Sequence, residues 1–130
     1  MDLGSIRAYC KAFPGATEGL QWGDDLLFRI GNKIFVTVSL SSVPQCMSVK
    51  STPERCAELL EIEGITRAPY VGRYDWVMLQ RLDLLPDAEM RELIAASYHN
   101  IRSKLPRSIQ AKLEGKKQPA SRRAKISGSR

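Results

Sequence analysis

Histidine occurs once in this 130-residue chain, as His99, and cysteine three times, as Cys10, Cys46 and Cys56. Structural zinc needs close ligand pairs such as C-x2-C, and the scattered cysteines form none. A lone histidine without a recognisable nucleophile and acid beside it gives no Ser-His-Asp signature. Helical spacing puts His99 on the side of Glu92, Ala95 and Arg102, away from the apolar stripe, where water is its expected neighbour. Three free thiols read as small buried hydrophobes in a reducing cytoplasm. No apolar run reaches the roughly 18 residues of a membrane span, and Met1–Ser5 lacks the charged and apolar regions of a secretory signal. Gly115-Lys116-Lys117 lacks the upstream Gly and the following Ser or Thr of a phosphate loop. The acid pair Asp24-Asp25 sits in a loop without visible partners. These absences predict a protein that is not an enzyme, needs no cofactor or metal and does not enter membranes.

Charge is present in quantity but unevenly. The first 105 residues hold twelve Lys and Arg against thirteen Asp and Glu, and the last 25 hold eight against one. The net charge of +6 therefore belongs to the tail. The reading is one domain over residues 1–105, a size that buries a real core without staples, and a basic, flexible tail over 106–130.

Leu3, Ile6 and Cys10 recur at helical spacing, and Pro14-Gly15 stop the run. Ala16–Gly23 reads as a loop. Leu26–Ile30 and Lys33–Leu40 flank Gly31-Asn32, which predicts a hairpin with a type II′ turn. That turn pairs Ile30 with Lys33 and Phe28 with Phe35. Both faces are partly apolar, which predicts a sheet covered on more than one side. Gln45–Lys50 is a third strand. Thr52-Pro53 starts a helix carrying Cys56, Leu59 and Leu60, closed near Gly64. Ile65–Gly72 reads as irregular and Asp75–Leu82 as a strand. Pro86 opens the longest helix, whose face runs through Met90, Leu93, Ile94, Ile101 and Leu105. Ser108–Leu113 offers a further short helix. Trp22, Trp76 and Tyr98 are expected in the core.

The run Phe13-Pro14-Gly15-Ala16-Thr17-Glu18, the pair Trp22-Gly23 and the hairpin Arg29–Phe35 resemble motifs of the MmcQ/YjbR family. Leu85–Met90, Ser97-Tyr98 and Lys104-Leu105-Pro106 are similar to the end of that family's domain. Where the family has a His before the strand Trp, this chain has Asp75, and Ala68–Tyr74 matches loosely. The resemblance implies an α-β3-α-β2-α arrangement, giving a single α+β domain whose five-stranded, mainly antiparallel sheet packs with three main helices, like secretion-chaperone folds. It also brings a label of DNA binding through a double wing, which rests on shape.

Two hairpin tips and the tail carry the candidate contacts. Arg29, Asn32 and Lys33 mark the first tip; Arg67, Tyr70, Arg73 and Tyr74 mark the second. Cations interleaved with aromatics suit phosphates and unstacked bases, although tips are also charged simply to block edge pairing. Lys116, Lys117, Arg122, Arg123 and Lys125 form an arm that attracts nucleic acid regardless of sequence. The favoured partner is therefore DNA. A protein-interaction or chaperone-like module, working through an apolar surface, is the alternative partner class, and a small-molecule-binding domain comes third.

Overall fold

The computed structural model describes residues 1–21, 23–68 and 75–113. Asp2 starts helix α1 (Leu3–Lys11), its carboxylate accepting from the Ser5 amide at 2.8 Å. Strands β1 (Thr17–Gln21), β2 (Asp25–Ile30), β3 (Lys33–Ser39) and β4 (Cys46–Lys50) follow. The Thr52 hydroxyl accepts from the Arg55 amide at 3.2 Å and opens α2 (Pro53–Leu59), with Pro53 in its first turn. Then come β5 (Ile65–Arg67), β6 (Trp76–Leu79), α3 (Asp87–Arg102) and α4 (Arg107–Leu113). Asp87 and Glu89 occupy the first turn of α3, where the helix dipole favours acids.

The fold is a single α+β domain built on one antiparallel sheet in the order β1-β2-β3-β4-β6-β5. It has six strands. The added one is β1, in the stretch read as loop, while the short β5 lies in the stretch read as irregular. Thr17–Gln21 shows no apolar alternation because it is an edge strand, and its one large hydrophobe, Leu20, is 62% exposed. Glu18 ties β1 to α1 through Arg7 (2.6 Å) and Lys11 (3.6 Å). Its hydrogen bond from Arg7 holds the Glu18 carboxyl below the ordinary carboxylate range.

The β2–β3 hairpin departs from expectation in two details. Gly31 and Asn32 have φ of 55° and 71°, so the turn is type I′, which needs positive φ at both central residues. Ile30 pairs with Lys33 as predicted, but Phe28 pairs with Val36, because the register shifts beside Arg29. The extra residue is Phe35. This bulge lets Phe35 and Val36, adjacent in sequence, both bury completely in the core.

Leu26, Phe28, Ile30, Val36, Val38, Met47, Val49, Val77 and Leu79 form one face of the sheet and join a cluster to which all four helices contribute. Among the described residues, helices therefore cover one side, not both; on the other, Leu27 and Trp76 are buried. Phe13 stacks on Tyr98 with centroids 4.4 Å apart, and Phe35 meets Tyr98 edge-on at 5.3 Å. Trp76 and Tyr98 are core, as expected; Trp22 lies outside the described residues.

The packed region runs past residue 105, where the tail was expected to begin. Leu113 is 6% exposed and joins the core cluster. It touches the space where a side chain on Gly15 would stand, 2.8 Å from that Cβ position. Residues 114–130 lie outside the described part.

Candidate functional site

Strand direction decides what meets at each end of this sheet. The Gly31-Asn32 turn, the last residue of β4 (Lys50), the last of β5 (Arg67) and the first of β6 (Trp76) all fall at one end. The first tip is not a free projection. A Cβ on Gly31 would stand 3.0 Å from both terminal methyls of Leu105, so the turn rests on the residues that follow α3. The close approach and the positive φ together require glycine there.

Asn32 and Lys33 are exposed on this tip. Arg29 is turned elsewhere: its guanidinium donates to the Gln21 side chain. Thr17 is the cross-strand partner of Arg29, and Gln21 lies four residues further along β1, about 13 Å at the usual strand rise. Between them stands Gly19, opposite Leu27 and without a side chain to block the way. Arg29 thus lies along the sheet, away from the tip. Arg67 is exposed at the end of the outer strand β5, opposite Val77. Tyr70, Arg73 and Tyr74, and the tail cations Lys116, Lys117, Arg122, Arg123 and Lys125, lie outside the described residues.

Sequence reasoning missed three cations that the fold brings to the same end: Lys50, Lys104 and Arg107. Lys50 ends a central strand, and Lys104 and Arg107 flank Leu105, the residue against the hairpin turn. The Lys104-Leu105-Pro106 motif offered a signal, since it marks where α3 ends. Burial first, and the nearby charge of Lys104 second, push the Lys50 ammonium below the ordinary lysine range, while Asp75 pulls it upward.

The backbone beneath these groups is firmly held. Ser97 of α3 donates to the Phe35 carbonyl at 2.5 Å and accepts from the Lys50 amide at 3.0 Å. The β3–β4 pairing ends at Val36 and Val49, so the hydroxyl bridges the strands where the bulge has parted them. Asp75 has φ of 66°, and its carbonyl accepts from both the amide (2.9 Å) and the hydroxyl (2.8 Å) of Ser51. That anchors the base of the second hairpin.

The other end of the sheet is acidic. Asp24 and Asp25 stand there beside Leu40 and Ser39. Glu61 and Glu63 precede β5, Asp83 follows β6, and Asp87 and Glu89 open α3. Arg81 is there as well, paired with Asp83 at 3.1 Å. The basic end has acids too, Glu18, Asp75 and Glu54, but among the described residues cations outnumber them there.

Other chemistry finds little to build on. Among the described residues no three His, Cys, Asp or Glu side chains gather to hold a metal ion. Burial raises the Cys10 thiol far above its ordinary range, which keeps it protonated and unreactive. His99 is exposed, with ring-edge contacts to Phe13 and Tyr98 at 6.1 and 5.2 Å. No described helix is long and apolar enough to cross a membrane.

A family model, YjbR, matches residues 11–100. The Deinococcus radiodurans protein DR2400, with a DUF419 family-model domain, has a similar fold: TM-score 0.78 at 21% identity, covering 90% of this chain and 95% of that one. A Pseudomonas syringae protein is similar with TM-score 0.65 at 18% identity, over 77% of this chain and 98% of its own. At these identities the likeness carries the fold alone. No protein of curated function matches the chain.

Proposed function

The chain belongs to the YjbR family, and on that premise we propose that it is a non-catalytic protein that binds the phosphate backbone of nucleic acid, DNA foremost. The observation that carries this reading is the gathering of Lys33, Lys50, Arg67, Lys104 and Arg107 at the sheet end that bears both hairpins. Backbone binding needs cations on a firm support and no base-reading groups. The Leu105–Gly31 contact and the Ser97 bridge supply the support.

The sequence supplies further cations beyond the last described residue. Leu113 packs at Gly15 beside Ile30, the last residue before the hairpin turn. In the sequence, Lys116 follows three residues after this anchor. Linked weak contacts of this kind reinforce one another through effective concentration. Three unpaired cysteines, two of them buried, agree with a cytoplasmic setting. For the alternative protein-interaction reading, the exposed large hydrophobes among the described residues are Leu20, on β1, and Val43, in the β3–β4 loop. That is little for an apolar partner to grip.

Fluorescence anisotropy with duplex DNA of two unrelated sequences tests the proposal. The full chain should bind both similarly, with affinity falling steeply as salt rises. Lys33→Gln with Arg67→Gln should weaken both duplexes alike and leave melting unchanged. Absence of salt-dependent binding by the full chain would refute the reading.

A further inference from the structure

We propose that the β2–β3 turn and the corner between α3 and α4 form one rigid clamp for the phosphate backbone of a nucleic acid. Lys33, Lys104 and Arg107 are its contacts, and Gln110 is the residue that positions the corner. The clamp rests on the nucleic-acid reading and narrows it from a whole sheet end to one place, on the side that the helices cover.

Strand pairing sets the direction of Lys33. Its cross-strand partner is Ile30, and directly opposed residues point to the same face. Ile30 belongs to the core beneath the helices, so Lys33 leaves the sheet on the helix side, and it is exposed. Lys50 follows the core residue Val49 in β4 and points to the other face; it has no part in the clamp. The corner reaches the turn through Leu105, whose terminal methyls lie 3.0 Å from the Cβ position of Gly31, two residues before Lys33. Gln110 then locks the corner. Its side-chain amide donates to the Leu105 carbonyl at 2.8 Å and to the Ser103 carbonyl at 3.3 Å. It thereby clasps the residues on both sides of Lys104. Arg107 opens α4 in the same bend, two residues beyond Leu105. Lys104 and Arg107 are both exposed.

Both jaws come from stretches without acids. No Asp or Glu occurs between Asp25 and Glu54, or between Glu92 and Glu114. None of the ion pairs among the described residues uses Lys33, Lys104 or Arg107. Their donors are therefore open to a ligand with several anionic oxygens. The backbone of each jaw is braced before any ligand arrives, which lowers the ordering cost of binding. A nucleic-acid strand carries one phosphate charge about every 3.4 Å of helix axis, so neighbouring phosphates can meet separate jaws. Inorganic phosphate offers the same oxygens at a single centre.

Binding of a mixed-sequence duplex is followed from about 50 to 200 mM salt for the full chain and three variants. Lys104→Gln/Arg107→Gln strips the corner of charge, and Gln110→Leu removes its lock. Arg81→Gln/Arg91→Gln removes two cations nearer the acidic end. Each phosphate contact contributes about one unit to the slope of log affinity against log salt. The corner variant should lose about two units of slope, while Arg81→Gln/Arg91→Gln keeps the wild-type slope. Its substituted residues are exposed, so the corner variant should melt like wild type, which separates loss of contact from loss of fold. Gln110→Leu leaves the charge untouched yet should weaken binding severalfold. Added to the corner variant it should cost nothing further, a coupling that a merely structural role would not produce. A wild-type slope in the corner variant, with wild type still binding DNA, overturns the clamp and leaves the broader reading standing. An equal loss in Arg81→Gln/Arg91→Gln overturns it too, because net charge alone would then be acting. A Gln110→Leu penalty that persists in the corner variant overturns the positioning role. Failure of wild type to bind any duplex overturns both readings. If inorganic phosphate stabilises wild type but not the corner variant, and DNA does not bind, the occupant is free phosphate and the nucleic-acid clamp is refuted.

Discussion

Two adjacent residues of α3, Ser97 and Tyr98, close the gaps that an irregular sheet would otherwise leave. Ser97 bridges the strands parted by the Phe35 bulge. Tyr98 lies between Phe13 and Phe35 and donates its hydroxyl to the Pro14 carbonyl at 2.7 Å. Burial raises the Tyr98 hydroxyl above its ordinary range, with Arg102 acting in the opposite sense. The neutral phenol is therefore favoured by folding. Its contribution is complete below about pH 10, the unfolded value, and is lost as pH rises through the higher folded value. Tyr98→Phe should cost about 1–3 kcal/mol at neutral pH by stranding a buried carbonyl. It should cost less and less above about pH 10, as wild type loses what the variant never had. Urea midpoints measured across that range check the claim, and a cost independent of pH would contradict it. The Ser97-Tyr98 pair was legible in the sequence as part of a resemblance. Its physical purpose was not, because Ser97 answers a bulge that pairing rules alone do not reveal.

At the scale of elements, legibility followed burial. The β2–β3 hairpin could be read because Leu26–Ile30 and Lys33–Leu40 are apolar runs around a Gly-Asn turn. The edge strand β1 could not, since Glu18 pairs with Arg7 at the surface and Leu20 faces water, leaving no alternation. The helix α4 was legible only as a possibility. Seven residues make two turns, too short for a clear period, and the site that Leu113 fills is created by Gly15 and Ile30, nearly a hundred residues earlier. Leu113→Ala should therefore destabilise the protein by about 2–5 kcal/mol, the range for emptying a packed leucine site. A chain ending at Leu113 should melt like the full chain, whereas one ending at Leu105 should melt lower. Equal melting of the two shortened chains would mean that α4 contributes no packing. The candidate site divides along the same line. Lys33 and Arg67 could be picked out as tip residues, but Lys50 and Lys104 come to the same sheet end only through tertiary packing, and the reach of Arg29 across Gly19 to Gln21 is a property of the paired strands that its place in the sequence does not show.

At the scale of the whole molecule, net charge is a poor guide to what this protein attracts. The near balance of the first 105 residues conceals a separation along the strands, cations at the hairpin end and acids at the other. The seven residues of β3 extend about 20 Å at the usual rise. Screening reaches about 8 Å at physiological salt and about 30 Å at 0.01 M. In the first condition a polyanion at the basic end is insensitive to the acidic end, and in the second it feels both. Asp24 and Glu63 are exposed at the acidic end, and Asp24→Asn with Glu63→Gln raises the net charge by two without touching a proposed contact. At about 150 mM salt this variant should bind duplex DNA as wild type does, whereas at about 10 mM it should bind more tightly. Lys33→Gln with Arg67→Gln, an equal change of opposite sign at the basic end, should weaken binding in both conditions. Tighter binding by the acidic-end variant at the higher salt would show that overall charge, not its arrangement, governs association, and the basic sheet end would lose its claim to be the contact surface.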